Sequence, residues 1–197
     1  MHYLDPIHII QTVGLIGIFV IVFLESGVFF GFFFPGDSLL FTAGIFAKAG
    51  FFPIESLIGG SAIAAILGGI VGYFSGRKVG IKFFNDEANI FFKKKYIYDA
   101  EHFYKKHGSG MIILARFVPI IRTFAPIVAG LGKMRYRTFF LYNFLSGIMW
   151  ATLISGLGYF VGGLIPNVDK FILPIACGII LVSVLPFILK MINHRKK

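Results

Sequence analysis

Four ionisable side chains stand inside otherwise apolar stretches of this 197-residue chain: Glu25, Asp37, Arg116 and Arg122. A charge at the centre of a bilayer costs about 2.5–3.5 kcal/mol even on insertion scales, so such residues face a protein interior or a water-filled cavity. Their types divide the chemistry. An arginine stays charged, and its planar fork of N–H donors grips phosphate or carboxylate through two parallel hydrogen bonds. A buried carboxylate can be tuned to load and release a proton. Arg116 and Arg122 share one segment, and Glu25 and Asp37 lie near another. The set reads as an anion site beside a proton site. Two plainer readings stand next to it. The acids and arginines could pair only to lock two segments together, and Asp37 could simply cap a helix starting at Ser38.

The segments that must position these residues are about 7–24, 26–50, 54–76, 111–131, 138–165 and 171–192. A membrane-spanning helix needs about 20 apolar residues. By length, 7–24, 54–76, 138–165 and 171–192 qualify. The other two are interrupted. Phe34-Pro35-Gly36-Asp37 falls in the middle of 26–50, and proline removes a helix hydrogen bond and clashes with the preceding turn. The nine residues from Ser26 to Phe34 reach only ~14 Å as a helix, half a bilayer. Segment 111–131 holds Arg116, Pro119, Arg122 and Pro126 and is also broken near its centre. Both are expected to be re-entrant hairpins, whose irregular backbone is tolerated where protein or water lines it.

Composition gives the same solvent. The chain is 57% hydrophobic and 14% charged, with 25 phenylalanines and a mean hydropathy of +0.83. Soluble domains carry roughly 25% charged residues, and a fold this small could not hide so much apolar surface from water. The net charge of +10 does not point to nucleic acid, because the basic residues cluster between apolar segments. Eight lie between residues 77 and 107, three are Lys133, Arg135 and Arg137, and four close the C-terminus. If 111–131 re-enters rather than crosses, all three clusters share the cytoplasmic face, as the positive-inside rule requires.

The stretch 81–107 alternates phenylalanines with lysines and is expected to be an amphipathic helix on the cytoplasmic leaflet, or else an ordinary helix packed on the bundle. Gly76-Arg77 is expected to end a helix at that face, where a cation suits both the helix dipole and the headgroups. The first apolar run lacks a basic leader and a cleavage motif and is read as retained. Cys177, alone in the chain, is read as packing. None of the five histidines has metal-ligand spacing, and no nucleophile–base set appears, so no metal and no enzymatic role is expected. Trp150, at mid-segment, reads as packing, and Asn143 as a hydrogen-bonding partner for the neighbouring hairpin.

An internal repeat connects the halves. Ala43-Gly44 recurs as Ala129-Gly130, and Gly72-Tyr73-Phe74-Ser75-Gly76 as Gly158-Tyr159-Phe160-Val161-Gly162, both at an offset of 86. With hairpins entering from opposite faces, the repeats have inverted topology, an architecture of many secondary transporters.

These residues resemble the DedA family of bacterial membrane proteins, which is related to eukaryotic lipid scramblases. The resemblance runs from about 20 to 165. It rests on Glu25 with Phe34-Pro35-Gly36-Asp37, on Gly76-Arg77-x-x-Gly80, and on Ala115-Arg116-Phe117-Val118-Pro119-x-x-Arg122-Thr123-Phe124-x-Pro126-x-x-Ala129-Gly130. Met134, Phe139, Asn143, Gly147 and Trp150 continue it. It implies opposed re-entrant hairpins and return of undecaprenyl phosphate across the cytoplasmic membrane for envelope synthesis, linked to protons or membrane potential.

The resulting expectation is an all-α polytopic protein of the bacterial cytoplasmic membrane with both termini cytoplasmic, residues 1–197 forming one integral membrane domain. Repeat one covers 25–76 (hairpin 26–50, spanning helix 54–76) and repeat two 111–162 (hairpin 111–131, spanning helix 138–165). The interfacial helix 81–107 and the spanning helix 171–192 complete it. Arg116 and Arg122 would bind substrate and Glu25 and Asp37 would couple protons, with Pro35, Gly36, Pro119, Pro126, Asn143 and Arg77 in support. No cofactor is expected beyond the coupling proton. The partners are an anionic polyprenyl phosphate and membrane lipids, with self-association left open. A proton-coupled antiporter, a general phospholipid scramblase, a membrane-embedded enzyme such as a lipid phosphatase and an assembly factor are the alternatives.

Overall fold

The computed structural model describes residues 6–27, 35–83 and 108–164. Among these all regular structure is helical: α1 (Pro6–Gly27), α2 (Gly36–Lys48), α3 (Ile54–Phe83), α4 (Met111–Arg116), α5 (Pro119–Leu131) and α6 (Tyr136–Leu164). The expected helix at 171–192 and residues 84–107 of the expected interfacial helix lie outside the described residues.

The long helices α3 and α6 sort their side chains by size and polarity. On α6 the exposed Met149, Leu153, Leu157, Phe160 and Leu164 recur every three or four residues. The opposite face buries Asn143, Ser146, Gly147, Trp150, Ala151, Ser155, Gly158 and Gly162. On α3, Ile63, Leu67, Val71 and Phe74 point outward, while Ser61, Ala62, Ala65 and Tyr73 are buried. Large apolar groups outside and small or polar groups inside are what a bundle in lipid requires, because small residues let backbones approach closely. At 30 and 29 residues, α3 and α6 are about 45 Å long, enough to cross a ~30 Å hydrocarbon core. Helices α2 and α5 have 13 residues each, about 20 Å, and are too short.

Helix α3 is central, packing on α1, α5 and α6, while α2 lies mainly against α6. The sequence repeat meets crosswise here. Gly44 of α2 sits against Ser155, Gly158 and Tyr159 of α6, and Gly130 of α5 sits against Tyr73 and Arg77 of α3. Each short helix thus packs on the long helix of the other half. A Cβ at Gly130 would overlap the Tyr73 carbonyl and lie 2.9 Å from the Arg77 amide nitrogen. Alanine at a helix interior normally gains about 1 kcal/mol over glycine. Here overpacking against backbone, at about 1–3 kcal/mol, outweighs that gain. Gly130→Ala is therefore expected to lower the unfolding temperature in detergent, whereas the same change at Gly59, with nothing within 4 Å, should not.

Two boundaries depart from expectation. Helix α1 runs through Glu25 to Gly27, so Glu25 lies in the last turn of the first helix, which also takes in the first two residues of the expected hairpin 26–50. Helix α3 does not stop at Gly76-Arg77 but continues to Phe83, taking in residues 81–83 of the expected interfacial helix. Gly76 serves closeness rather than termination, since a Cβ there would strike the backbone of Ile127 in α5. Segment 111–131 breaks only at Phe117-Val118, and Pro126 lies within continuous α5. Pro119 explains the break: the residue before a proline is driven to extended backbone, and Val118 has φ −105° and ψ 111°. As first residue of α5, Pro119 lacks only an N–H that a first turn would leave unpaired anyway.

Candidate functional site

The break between α4 and α5 places Arg116 on the last residue of one helix and Arg122 in the first turns of the next. On an unbroken helix six residues apart they would point about 120° from each other. Instead both guanidinium groups lie over the ring of Trp150 on α6, with Cζ 5.9 Å from the centroid for Arg116 and 5.1 Å for Arg122.

Arg122 is clamped by two carboxylates. Its Nη2 donates to Glu25 Oε1 from the end of α1, and its Nη1 to Asp37 Oδ1 in the first turn of α2. Trp150 Nε1 donates to the same Asp37 oxygen at 2.9 Å. Asp37 also stands where the partial positive charge of a helix N-terminus favours an anion. It is not the N-cap residue, because the helix begins at Gly36 with Pro35 before it. The Asp37 side chain is 36% exposed and that of Glu25 4%, so the two acids occupy different environments.

Gly36 has a steric role. Any Cβ there would overlap Glu25 Oε2, so only glycine lets that carboxylate rest on the start of α2. Oε2 itself has no hydrogen-bond partner among the described residues.

Arg116 differs. It is 7% exposed, yet its partners among the described residues are neutral: Asn143 Oδ1 at 3.0 Å and Ser146 Oγ at 3.4 Å, both on α6. Asn143 is itself held, its Nδ2 donating to the Ile66 carbonyl of α3 at 3.0 Å, and Gly69 leaves the space it fills. Ser146 Oγ donates to the Asn143 carbonyl at 3.1 Å, leaving its lone pairs to Arg116. One asparagine therefore joins α3, α4 and α6 around a cation that meets no carboxylate among the described residues.

The structure thus brings Glu25, Asp37, Arg116, Arg122, Gly36 and Asn143 into one neighbourhood. Pro126 is buried at α3, its Cβ 3.2 Å from where a Cβ of Gly72 would stand, and shapes the helix pair instead. Arg77 is exposed and donates to the Tyr73 hydroxyl at 3.0 Å, away from the cluster. That hydroxyl in turn donates to the Met134 carbonyl, and the ring stacks on Phe139 at 4.5 Å. Trp150 joins the site by a polar bond and by its ring face, which a reading as packing alone misses. The signal was present as spacing: Asn143, Ser146, Gly147 and Trp150 recur on one face of α6.

Among the described residues the bundle is all-helical and apolar on its outside, with a charged quartet within, an arrangement consistent with a membrane protein. Comparison with known proteins gives its family. The VTT domain profile matches residues 34–160, from the threshold of α2 into α6. The chain is 40% identical over 198 residues to Protein DedA of Escherichia coli (strain K12), covering 96% of this chain and 90% of that one. An uncharacterized membrane protein of Mycobacterium tuberculosis is 39% identical over 188 residues, covering 94% and 82%. Inner membrane protein YqjA of Escherichia coli (strain K12) is 34% identical over 145 residues, covering 74% and 66%. No solved structure matches the chain. The chain belongs to the DedA family of VTT-domain membrane proteins.

Proposed function

We propose that this protein moves a lipid phosphate, of the undecaprenyl phosphate class, across the bacterial cytoplasmic membrane. The observation that carries the reading is Arg116, a buried guanidinium faced by neutral oxygens beside an arginine already held by two carboxylates. Such a group has donors and charge to offer an anion. The phosphate would sit at the arginines while the prenyl tail stays in lipid. The quartet balances two negative against two positive groups, so an arriving phosphate adds a negative charge that a proton on Glu25 or Asp37 would offset. No cofactor other than that proton is invoked.

In this reading α2 and α5 are arms of two re-entrant hairpins entering from opposite faces. Segments 7–24, 54–76, 138–165 and 171–192 span, and both termini are cytoplasmic. The short length of α2 and α5 and their crosswise packing on α6 and α3 support it.

The test is purified protein in liposomes with labelled polyprenyl phosphate in one leaflet. The lipid is expected to equilibrate between leaflets. Arg116→Lys and Arg122→Lys keep the charge but lose the planar fork, and each is expected to insert yet lose at least about tenfold in rate. Full activity in both would leave the pair as positive charge only. Ion or drug flux without lipid movement would identify an antiporter, and equal movement of ordinary phospholipids a general scramblase.

A further inference from the structure

We propose that Trp150 is the positioning residue of the anion site, its ring holding both guanidinium groups so that the N–H donors of Arg116 not spent on Asn143 and Ser146 stay available to a phosphate. This rests on the anion-binding reading above. A hydrogen bond consumes a donor, but a cation over an aromatic face is held by the ring quadrupole and consumes none. Trp150 is 3% exposed and belongs to the central apolar cluster, so its ring is fixed by packing. Arg116 and Arg122 both lie over it, and their Cζ atoms can be no farther apart than the two centroid distances together. The ring accordingly gathers the two guanidinium groups into one region and adds no negative charge: Arg122 is paired with Glu25 and Asp37, and Arg116 meets no carboxylate among the described residues. Its edge does separate work. The Nε1–H bond to Asp37 fixes the carboxylate that takes one end of Arg122, leaving Asp37 an anchor rather than a competitor for Arg116.

The chain has a single tryptophan, so its fluorescence reports on this position alone. Protein in detergent is titrated with short-chain phosphatidic acid, a phosphate monoester lipid, and with the matching diacylglycerol as control. Binding is measured independently by protection against thermal unfolding. The emission is expected to shift saturably with phosphatidic acid, at the concentrations that give protection, and not with diacylglycerol. Trp150→Phe keeps a ring face and loses the N–H, and should bind within about threefold of wild type. Trp150→Leu loses the face and should bind about tenfold more weakly. Protection without any change in emission would overturn the role of Trp150 and leave the anion site standing. Absence of both would overturn the anion site and this inference together. If Trp150→Leu does not fold, the phenylalanine variant decides: tenfold weaker binding there would place the effect in the N–H bond and overturn positioning by the ring.

Discussion

Arg122→Gln is expected to lower stability by about 3–5 kcal/mol, because breaking a buried ion pair strands its partner's charge. Glu25 carries most of that cost. Its side chain is 4% exposed, and its second oxygen has no hydrogen-bond partner among the described residues. Asp37 carries less, being 36% exposed and still receiving the Trp150 N–H. The double variant Glu25→Gln/Arg122→Gln removes both charges and should recover most of the stability. It should not recover transport, since Arg122 and one of the two proton-binding acids are both gone. Unfolding in detergent and the liposome assay read the two quantities separately. If the double variant transports like wild type, the pair is only a lock. If Arg122→Gln alone is as stable as wild type, the resting acids do not carry the charge assigned to them.

Proton linkage follows from the same pair. Glu25→Gln and Asp37→Asn each remove one proton-binding group from the quartet. Each is expected either to stop transport or to alter its dependence on pH between about 6 and 9. Parent-like profiles in both variants would remove the acids from the cycle.

The charged quartet was legible in the sequence because charge in apolar surroundings is costly enough to demand a reason. The break before Pro119 was legible because proline acts on its immediate neighbours. What escaped depends on tertiary proximity. Nothing local to Gly36 says that Glu25, eleven residues earlier, will rest on it. Nothing local to Gly76 distinguishes a helix stop from a seat for Ile127. Trp150 is the clearest case. As an apolar residue at mid-span it satisfies packing alone, and its N–H acquires meaning only once α2 lies against α6 and brings Asp37 to it.

Asn143→Asp is expected to fill the anion site from within. The change is nearly isosteric, so the space left by Gly69 still accepts the side chain. The new carboxylate would stand where Oδ1 now meets Arg116 Nη1 at 3.0 Å and would neutralise a cation whose described partners are uncharged. The cost is the Nδ2 bond to the Ile66 carbonyl, about 0.5–1.5 kcal/mol because that carbonyl lies inside α3 and keeps its backbone partner, offset in part by the new ion pair. The protein should therefore accumulate and unfold within about 2 kcal/mol of wild type. Transport, however, should fall by at least about tenfold, because a fixed carboxylate occupies the donors that a phosphate needs. Asn143→Ala is the control. It deletes the Nδ2 bond that the aspartate variant loses and the Oδ1 bond to Arg116 as well, and adds no charge, so it leaves Arg116 open to an anion and should transport better than Asn143→Asp. The two are distinguished by rate in liposomes and by phosphatidic acid protection in detergent. If the aspartate variant matches or exceeds the alanine variant in both, Arg116 is not where the anion binds, and Asn143 serves only to join α3, α4 and α6.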